Sequence, residues 1–407
     1  MTDNTPLPQP QGHFALTNGR VIRPYEIVTG KALVVADAKI VGLSEVDALD
    51  PAIETIDVGG RYLAPGLIDI HTHGGLGHIF NEASTEAFDI ITRENARRGV
   101  TALLATTMTA PIAELVQCLE FSRRWLSQPR PGAQVLGVHV EGPYFNVAQR
   151  GAQDPAHIRN PDDGTPARLL EHHDIIKIMT YAPELPGALE FTARLVQLGI
   201  VAAAGHSSAR DDDVRAAMDL GLSHIIHIWS AQSTTIKEGP WRKPGLLEAS
   251  LTFDGLTVEM ISDHRHLPPT LMKLAYKCIG PDRLCVISDA TSGAGLPDGT
   301  RFRMGGLEYD VQDGVGMMLD RSSFAGSTTL LNQMIPILRD DVGIPLVEVV
   351  RMATLTPARV IGYDHCKGTL EAGKDADLAI FEDDFTAWRT MIGGRWVYRA
   401  PADAGSV

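Results

Sequence analysis

The sequence predicts an α/β fold: a (β/α)8 TIM-type barrel with a small β-sandwich domain built from both chain ends. Three observations predict it. Eight apolar, β-branched runs recur between residues 67 and 289, with amphipathic stretches separating them. Short strand-and-turn patterns occupy the two ends of the chain. The length, 407 residues, fits a barrel with a smaller appended domain. Residues 1–62 and 361–407 are then the two parts of the β domain, and residues 63–360 the barrel.

In chain order, residues 1 to about 12 are polar and proline-rich and predict a disordered tail. Residues 14–22, 32–35 and 40–43 read as short strands, with Asn18-Gly19 and Gly30 as turn signals. The barrel runs follow at 67–71, 102–107, 135–141, 175–180, 200–206, 224–228, 257–263 and 284–289. Near-continuous apolar strands belong to a sheet covered on both faces, and alternation with helices makes them parallel. Eight such units point to a closed barrel rather than an open sheet. Helices are expected at 85–98, 188–198 and 210–220, each ending near a glycine stop signal at Gly99, Gly199 or Gly221. Residues 296–322, rich in Gly and Asp, predict a hairpin at the barrel rim, with helices at 327–339 and 345–354 after it. Strand–turn–strand patterns from 368 to 381 and from 391 to 398 complete the small domain.

The formal net charge of −14 argues against nucleic acid, which needs clustered Lys and Arg, and against anionic membrane surfaces. A small molecule is the expected partner. It can still be anionic, because one or two basic side chains suffice to hold a phosphate. Cys118, Cys278, Cys285 and Cys366 form no C-x-x-C pair, which suggests neither a zinc ribbon nor a redox motif and fits a reducing compartment. The N-terminus lacks the basic start and apolar stretch of a signal peptide, and no apolar run reaches the roughly 18 residues of a membrane span. The expected location is the cytoplasm.

In a parallel barrel the C-terminal strand ends and the loops after them form the active face. Five runs turn polar there: the first at His71 and His73, the third at Glu141, the fifth at His206, the sixth at His227 and the eighth at Asp289. The seventh ends in Asp263, with His264 and His266 just beyond. A lone histidine in an apolar run is more often a satisfied core residue than a ligand; repetition at one end of the barrel is what points to a site. His71 and His73, two residues apart, lie on the same side of their strand. Neutral imidazoles with a carboxylate suit zinc and similar divalent ions, and a catalytic site leaves one position for water. That water ionises near neutral pH, and Asp289 is the natural general base to accept its proton. The alternative for Asp289, which precedes Ala-Thr-Ser-Gly, is a helix N-cap.

These residues lie in segments that resemble the amidohydrolase superfamily and, within it, the N-acetylglucosamine-6-phosphate deacetylase family. The segments are Ala64-Pro-Gly-Leu-Ile-Asp-Ile-His-Thr-His-Gly-Gly, Gly99-Val-Thr-Ala, His139-Val-Glu-Gly-Pro-Tyr-Phe, Ala204-Gly-His-Ser, His227-Ile-Trp-Ser-Ala and Ser288-Asp-Ala-Thr. Ala353-Thr-Leu-Thr-Pro-Ala-Arg and Gly368-Thr-Leu-Glu-Ala-Gly-Lys-Asp-Ala-Asp-Leu are similar too, so the resemblance spans nearly the whole chain. It implies hydrolysis of an acetamide on a sugar phosphate, with one or two divalent ions per subunit, zinc being expected. Glu141, His206 and His227 would hold the main ion, His71 and His73 would serve a second one, and Asp289 would be the catalytic acid and base. His266 matches the family's substrate histidine. Arg242, in Trp241-Arg-Lys-Pro-Gly, matches an arginine that reaches the substrate phosphate from a neighbouring subunit, which implies a homodimer.

The departures cluster where substrate is read. Arg150-Gly-Ala-Gln153-Asp-Pro stands where the family has Lys-Gly-x-His-Asp/Asn-Pro, so Gln153 replaces a substrate-contacting histidine. Ser230-Ala231-Gln232 replaces an Asn-Ala-Met run, and Trp229 replaces a smaller aromatic. Asp263-His264-Arg265-His266 replaces Asp-Gly-x-His. Metal and catalytic positions are kept, which predicts intact hydrolytic machinery acting on a shifted substrate. The alternatives are another amide, a cyclic amide or a lactone. A barrel that has lost catalysis and only binds is disfavoured, since no ligand position is missing.

Overall fold

The computed structural model describes residues 7, 9–128, 130 and 132–401. Part of the expected disordered tail lies outside them. The described part departs from that expectation at Gln9, which donates to the Trp396 carbonyl (3.0 Å) and accepts from the Trp396 amide (2.8 Å). Two hydrogen bonds to a C-terminal strand fix the chain there.

Eight strands form one parallel sheet: β1 (Leu67–Thr72), β2 (Val100–Thr107), β3 (Gln134–Glu141), β4 (Ile176–Tyr181), β5 (Val201–Ala204), β6 (His224–Ile225), β7 (Thr257–Ile261) and β8 (Leu284–Ile287). The last meets the first through Asp289 N–H to His71 O (2.9 Å) and His73 N–H to Ala290 O (2.8 Å), which closes the barrel. The helices that follow the strands are α1 (Thr85–Arg97), α2 (Ile112–Leu126), α3 (Pro166–Leu170), α4 (Ala188–Gln197), α5 (Asp211–Asp219), α6 (Leu246–Thr252), α7 (Pro269–Ile279) and α8 (Leu331–Pro336). Strands buried on both faces explain the unbroken apolar runs. The spacing β5–β6 needs Gly205, because a Cβ there would lie 2.2 Å from Ile226 Cγ1.

Helix starts follow local chemistry. The Ser84 hydroxyl accepts the Ala87 amide at the start of α1, and Phe88 and Ile91 on its inner face are buried. Gly99, at φ 81°, follows its end.

Two expectations change past β8. The rim hairpin is a four-stranded antiparallel sheet, Arg301–Met304, Leu307–Gln312, Val315–Met318 and Phe324–Ser327. Its last strand takes the residue where a helix was expected to start, so α8 begins only at Leu331. Ser327 is held in the strand by its amide on Asp289 O (2.9 Å) and its hydroxyl on Asp263 (2.9 Å). Gly326, at φ 65°, permits that approach; a Cβ there would lie 2.7 Å from Asp289 O.

Two sheets make the small domain. One has four strands, with His13–Thr17 between Lys31–Ala36 and Glu54–Asp57, and Lys39–Glu45 outermost. The other has six and joins the chain ends: Tyr62–Pro65 pairs antiparallel with Leu378–Phe381 and parallel with Arg20–Ile22. Phe14, Leu33, Leu63, Leu378 and Trp396 meet in one buried cluster between the sheets.

Candidate active site

The barrel brings His71, His73, Glu141, His206, His227 and Asp289 together on one floor. All six are less than one-tenth exposed. Glu141 Oε1 lies 3.1 Å from His227 Nε2, 3.2 Å from His206 Nε2 and 3.5 Å from His71 Nε2. Its Oε2 lies 3.5 Å from His73 Nε2. Asp289 Oδ1 lies 3.2 Å from His73 Nε2 and 3.6 Å from His71 Nε2. Three of the six sit just past a strand end with left-handed backbone: His206 at φ 48°, His227 at 26° and Asp289 at 46°. Each such residue costs on the order of 1–2 kcal/mol. Packing and hydrogen bonds hold them there; the His206 ring lies 4.4 Å from the Phe145 ring, and Asp289 bonds through its amide to His71 O. No helix begins at Asp289, where the next regular element is Arg301–Met304, so the N-cap alternative does not hold.

The donor set fits a cation. His206 Nδ1 faces the Gln149 carbonyl at 2.8 Å, which can only accept, so Nδ1 carries the proton. Its Nε2 lone pair then points at a carboxylate oxygen. His71 Nδ1 faces Glu259 at 2.7 Å, and its Nε2 is a buried atom without a hydrogen-bond partner. Lone pairs aimed at carboxylate oxygens repel unless a cation lies among them. The separations of 3.1 to 3.6 Å match two ligands of one tetrahedral ion, which lie roughly 3.4 Å apart. His71, Glu141 and His227 make one ligand group and His71, His73 and Asp289 another.

The carboxylates stay ionised. Burial alone would raise both carboxyls; positive charge at the ring nitrogens of His206, His227 and His71, which a ring proton or a bound cation supplies, holds Glu141 well below its usual range, and the same at His73, His71 and His227 holds Asp289 below its own. Asp289 is thus a proton acceptor at neutral pH. Behind the floor, burial pushes Asp69 up to about 6, and burial beside His71 pushes His139 down to about 3.

A cavity of about 470 Å3 opens over this floor. Gln153, Ser230, Ala231 and His266 line it, as do Trp229, Met304, Met317, Arg321 and Phe324. His266 donates Nδ1–H to Asp263 (2.8 Å), which leaves Nε2 as the ring atom for a ligand. Asp263 also accepts the Arg265 and His266 amides, and these bonds hold it at about 2 against the effect of burial. Gln153 donates to Glu141 Oε2 (2.5 Å) and accepts from the Thr109 amide (2.9 Å). Gln232 does not line the cavity; it braces the loop through Ile226 O (3.0 Å) and the Trp229 amide (3.3 Å). His264 turns outward to Asp341 (2.8 Å). Arg242 sits on an exposed hairpin, Ile236–Glu238 with Trp241–Lys243, and does not line the cavity of its own chain.

Residues 62–397 match the amidohydrolase family, and residues 13–63 match the NagA composite domain. The chain belongs to the amidohydrolase family. It is 33% identical to the N-acetylglucosamine-6-phosphate deacetylase of Vibrio furnissii, over 85% of this chain and 86% of that one. It is 31% identical to the N-acetylgalactosamine-6-phosphate deacetylase of Escherichia coli O157:H7, over 86% of this chain and 92% of that one. Among solved structures, the Pasteurella multocida N-acetylglucosamine-6-phosphate deacetylase superposes with a TM-score of 0.88, at 31% identity, covering 94% of this chain and 99% of that one. A point mutant of the Mycobacterium smegmatis deacetylase, in complex with N-acetyl-D-glucosamine-6-phosphate, gives 0.87 at 31% identity, covering 95% and 99%.

Three residues that shape this amidohydrolase site are given no role by the sequence motifs, although Asp69 lies inside the first of them. Glu259 lies in mid-β7, fully buried behind His71. A lone acid inside an apolar strand run was the available signal, since unpaired buried acids are rare. Asp69 likewise accepts the His71 and Ser288 amides from within β1. Arg321 reaches the cavity from the rim sheet, and nothing local in its sequence marks it.

Proposed function

We propose that this amidohydrolase deacetylates an N-acetylated amino sugar phosphate, N-acetylglucosamine-6-phosphate or a close relative, releasing acetate and the amino sugar phosphate. One observation carries the reading: the six floor residues converge, with histidine lone pairs aimed at carboxylate oxygens, beneath a cavity of sugar-phosphate size. Glu141, His206 and His227 would hold a divalent ion, zinc by the donor set, with His71, His73 and Asp289 serving a second. When bound, such an ion polarises the amide carbonyl and lowers the pKa of a water.

The chain's own residues do the rest. Asp289 accepts the proton of the attacking water and returns it to the departing nitrogen as the C–N bond breaks. Gln153 donates to Glu141 Oε2, the oxygen on which His206 and His227 do not converge. His266, fixed by Asp263, and the Ser230–Ala231 segment orient the sugar along the cavity wall. Arg321 is a cation in that wall without a carboxylate partner among the described residues, which suits an anionic substrate. Arg242 would reach the phosphate from the second copy of a homodimer, as its exposed hairpin allows. All four cysteines are free, which supports a cytoplasmic location.

Relatives of nearly equal identity act, by name, on glucosamine and galactosamine epimers, so identity does not choose between the sugars. A second reading, a different acyl or cyclic amide, is favoured by the apolar wall of Met108, Met304, Met317 and Phe324. The deciding measurement is acetate release by zinc-loaded enzyme from both sugar phosphates and from unphosphorylated N-acetyl sugars. Turnover on a phosphorylated sugar supports the first reading. No acetate from any of them sinks it and leaves the second.

A further inference from the structure

Glu259 is a buried acid beside the floor that the reaction does not use. It lies on β7 with none of its surface exposed. Its Oε2 is 2.7 Å from His71 Nδ1 and 3.3 Å from the His227 amide, and its Oε1 is 3.1 Å from His224 Nε2. Three donors satisfy its oxygens as hydrogen-bond acceptors. Of these donors His71 and His224 form ion pairs with it only if protonated, and among the described residues no Lys or Arg does so. A buried carboxylate without a counter-charge is expensive. The nearest place for one is across the His71 ring, where the bare Nε2 faces Glu141 and Asp289.

The floor also divides in two. His206 and His227 both converge on Glu141 Oε1, whereas His73 and Asp289 gather around the other side of His71. Of the floor histidines, His71 has a side-chain carboxylate behind its ring, while the ring of His206 leans on a backbone carbonyl.

We propose that Glu259 is a positioning residue that reserves His71 for a second divalent ion: it accepts the hydrogen bond from Nδ1–H, fixes the ring and presents Nε2 to the half-site of His71, His73 and Asp289. Carboxylates behind metal-bound histidines orient the ring and raise its donor strength, and their loss typically weakens binding 10- to 100-fold. The inference rests on the metal-dependent reading above, and its test is separate from turnover.

The test titrates metal-free protein with zinc, and then with cobalt, whose visible absorption reports each filled site. The wild-type chain should take two equivalents. Glu259→Gln should keep the first within about twofold and weaken the second by about 10- to 100-fold. A general loss of structure would weaken both together, so this split is the decisive readout. His71→Asn should lose the second equivalent as well, and adding Glu259→Gln to it should change the first by no more than about twofold. Should Glu259→Gln not fold, Glu259→Asp, which keeps the charge but withdraws it from His71, should show the same split. Two unchanged equivalents in the variant, equal weakening of both, or a wild-type chain that takes one ion overturns the inference. A wild-type chain that takes two ions but releases no acetate sinks the proposed reaction and leaves the role of Glu259 standing.

Discussion

The floor and the rim of the cavity are built on opposite terms. On the floor, His71, His73, Glu141, His206, His227 and Asp289 are buried, sit at or just past the ends of parallel strands, and restrain one another within 3.1 to 3.6 Å. On the rim, Arg321 and Ser322 are exposed on an antiparallel insertion, and Trp229 and Ala231 sit half-buried in the loop after β6. A floor residue cannot change without stranding a buried charge or a strained backbone. A rim residue can change at little cost to the fold. The departures from the family pattern follow that division: Trp229, Ser230 and His264 fall on loops above the floor. Gln153 is the exception, since its carboxamide touches Glu141 itself. Reaction type is therefore held by mutual burial, and choice of substrate by replaceable surface.

The harshest test of that contrast is on the floor. Asp289→Asn keeps the shape and the amide bond to His71 O but cannot take a proton. Turnover should fall about 1000-fold, inside the usual 10²–10⁴ range for losing a general acid–base group. The ion held by Glu141, His206 and His227, measured on the purified variant, should persist, because those three residues are untouched, while the second equivalent, which Asp289 helps to hold, should weaken. A variant within tenfold of wild type would remove Asp289 from the proton-carrying role.

Asp263 joins the two regions, and removing its charge has a smaller effect. It accepts His266 Nδ1–H from the cavity wall and Ser327 Oγ–H from the rim sheet. With the carboxyl held at about 2 against a usual 3.8, Asp263 contributes about 2 kcal/mol of stability at neutral pH. The pKa is depressed, so this contribution is full above about pH 4 and is lost as the pH falls through about 2. Asp263→Asn should thus be less stable by about 2 kcal/mol in chemical denaturation, by an amount constant from pH 5 to 8. A gap that changes within that interval would assign the effect to the His266 ring and break the link between floor and rim.

The same contrast explains what the sequence reveals. The barrel is legible because strands covered on both faces must be apolar throughout, and α1, α4 and α5 follow their glycine stop signals to within one or two residues. The floor is legible because polar residues that interrupt such runs at one end stand out. Glu259 interrupts β7 as well, but in mid-strand, where no positional rule singles it out. The rim hides for a different reason. Four short strands with Gly- and Asp-rich turns resemble a hairpin with loops, and strand Phe324–Ser327 forms through Ser327's tertiary bonds to Asp289 and Asp263 rather than by local propensity. His264 and Arg242 show the limit of motif matching: each occupies a family position, yet one turns to Asp341 and the other stands on an exposed hairpin.

The smallest expected effect lies wholly on the rim and separates two sources of phosphate binding. Arg321 lines the cavity of its own chain; Arg242 does not, and in the proposed homodimer it would meet the substrate of the second copy. Arg321→Ala should raise KM for a phosphorylated N-acetyl sugar by about tenfold, near 1.4 kcal/mol, because the guanidinium is exposed and partly screened. KM for the unphosphorylated sugar and kcat for both should stay within about twofold, since the floor is untouched. The difference between the two sugars should shrink as salt is added, because exposed charges are screened beyond about a Debye length. An equal loss on both sugars would mean that Arg321 shapes the wall rather than meeting the phosphate. No loss for Arg321→Ala, together with a tenfold loss for Arg242→Ala, would place the phosphate grip in the partner copy. The rim would then be completed between subunits, while the floor remains complete within one.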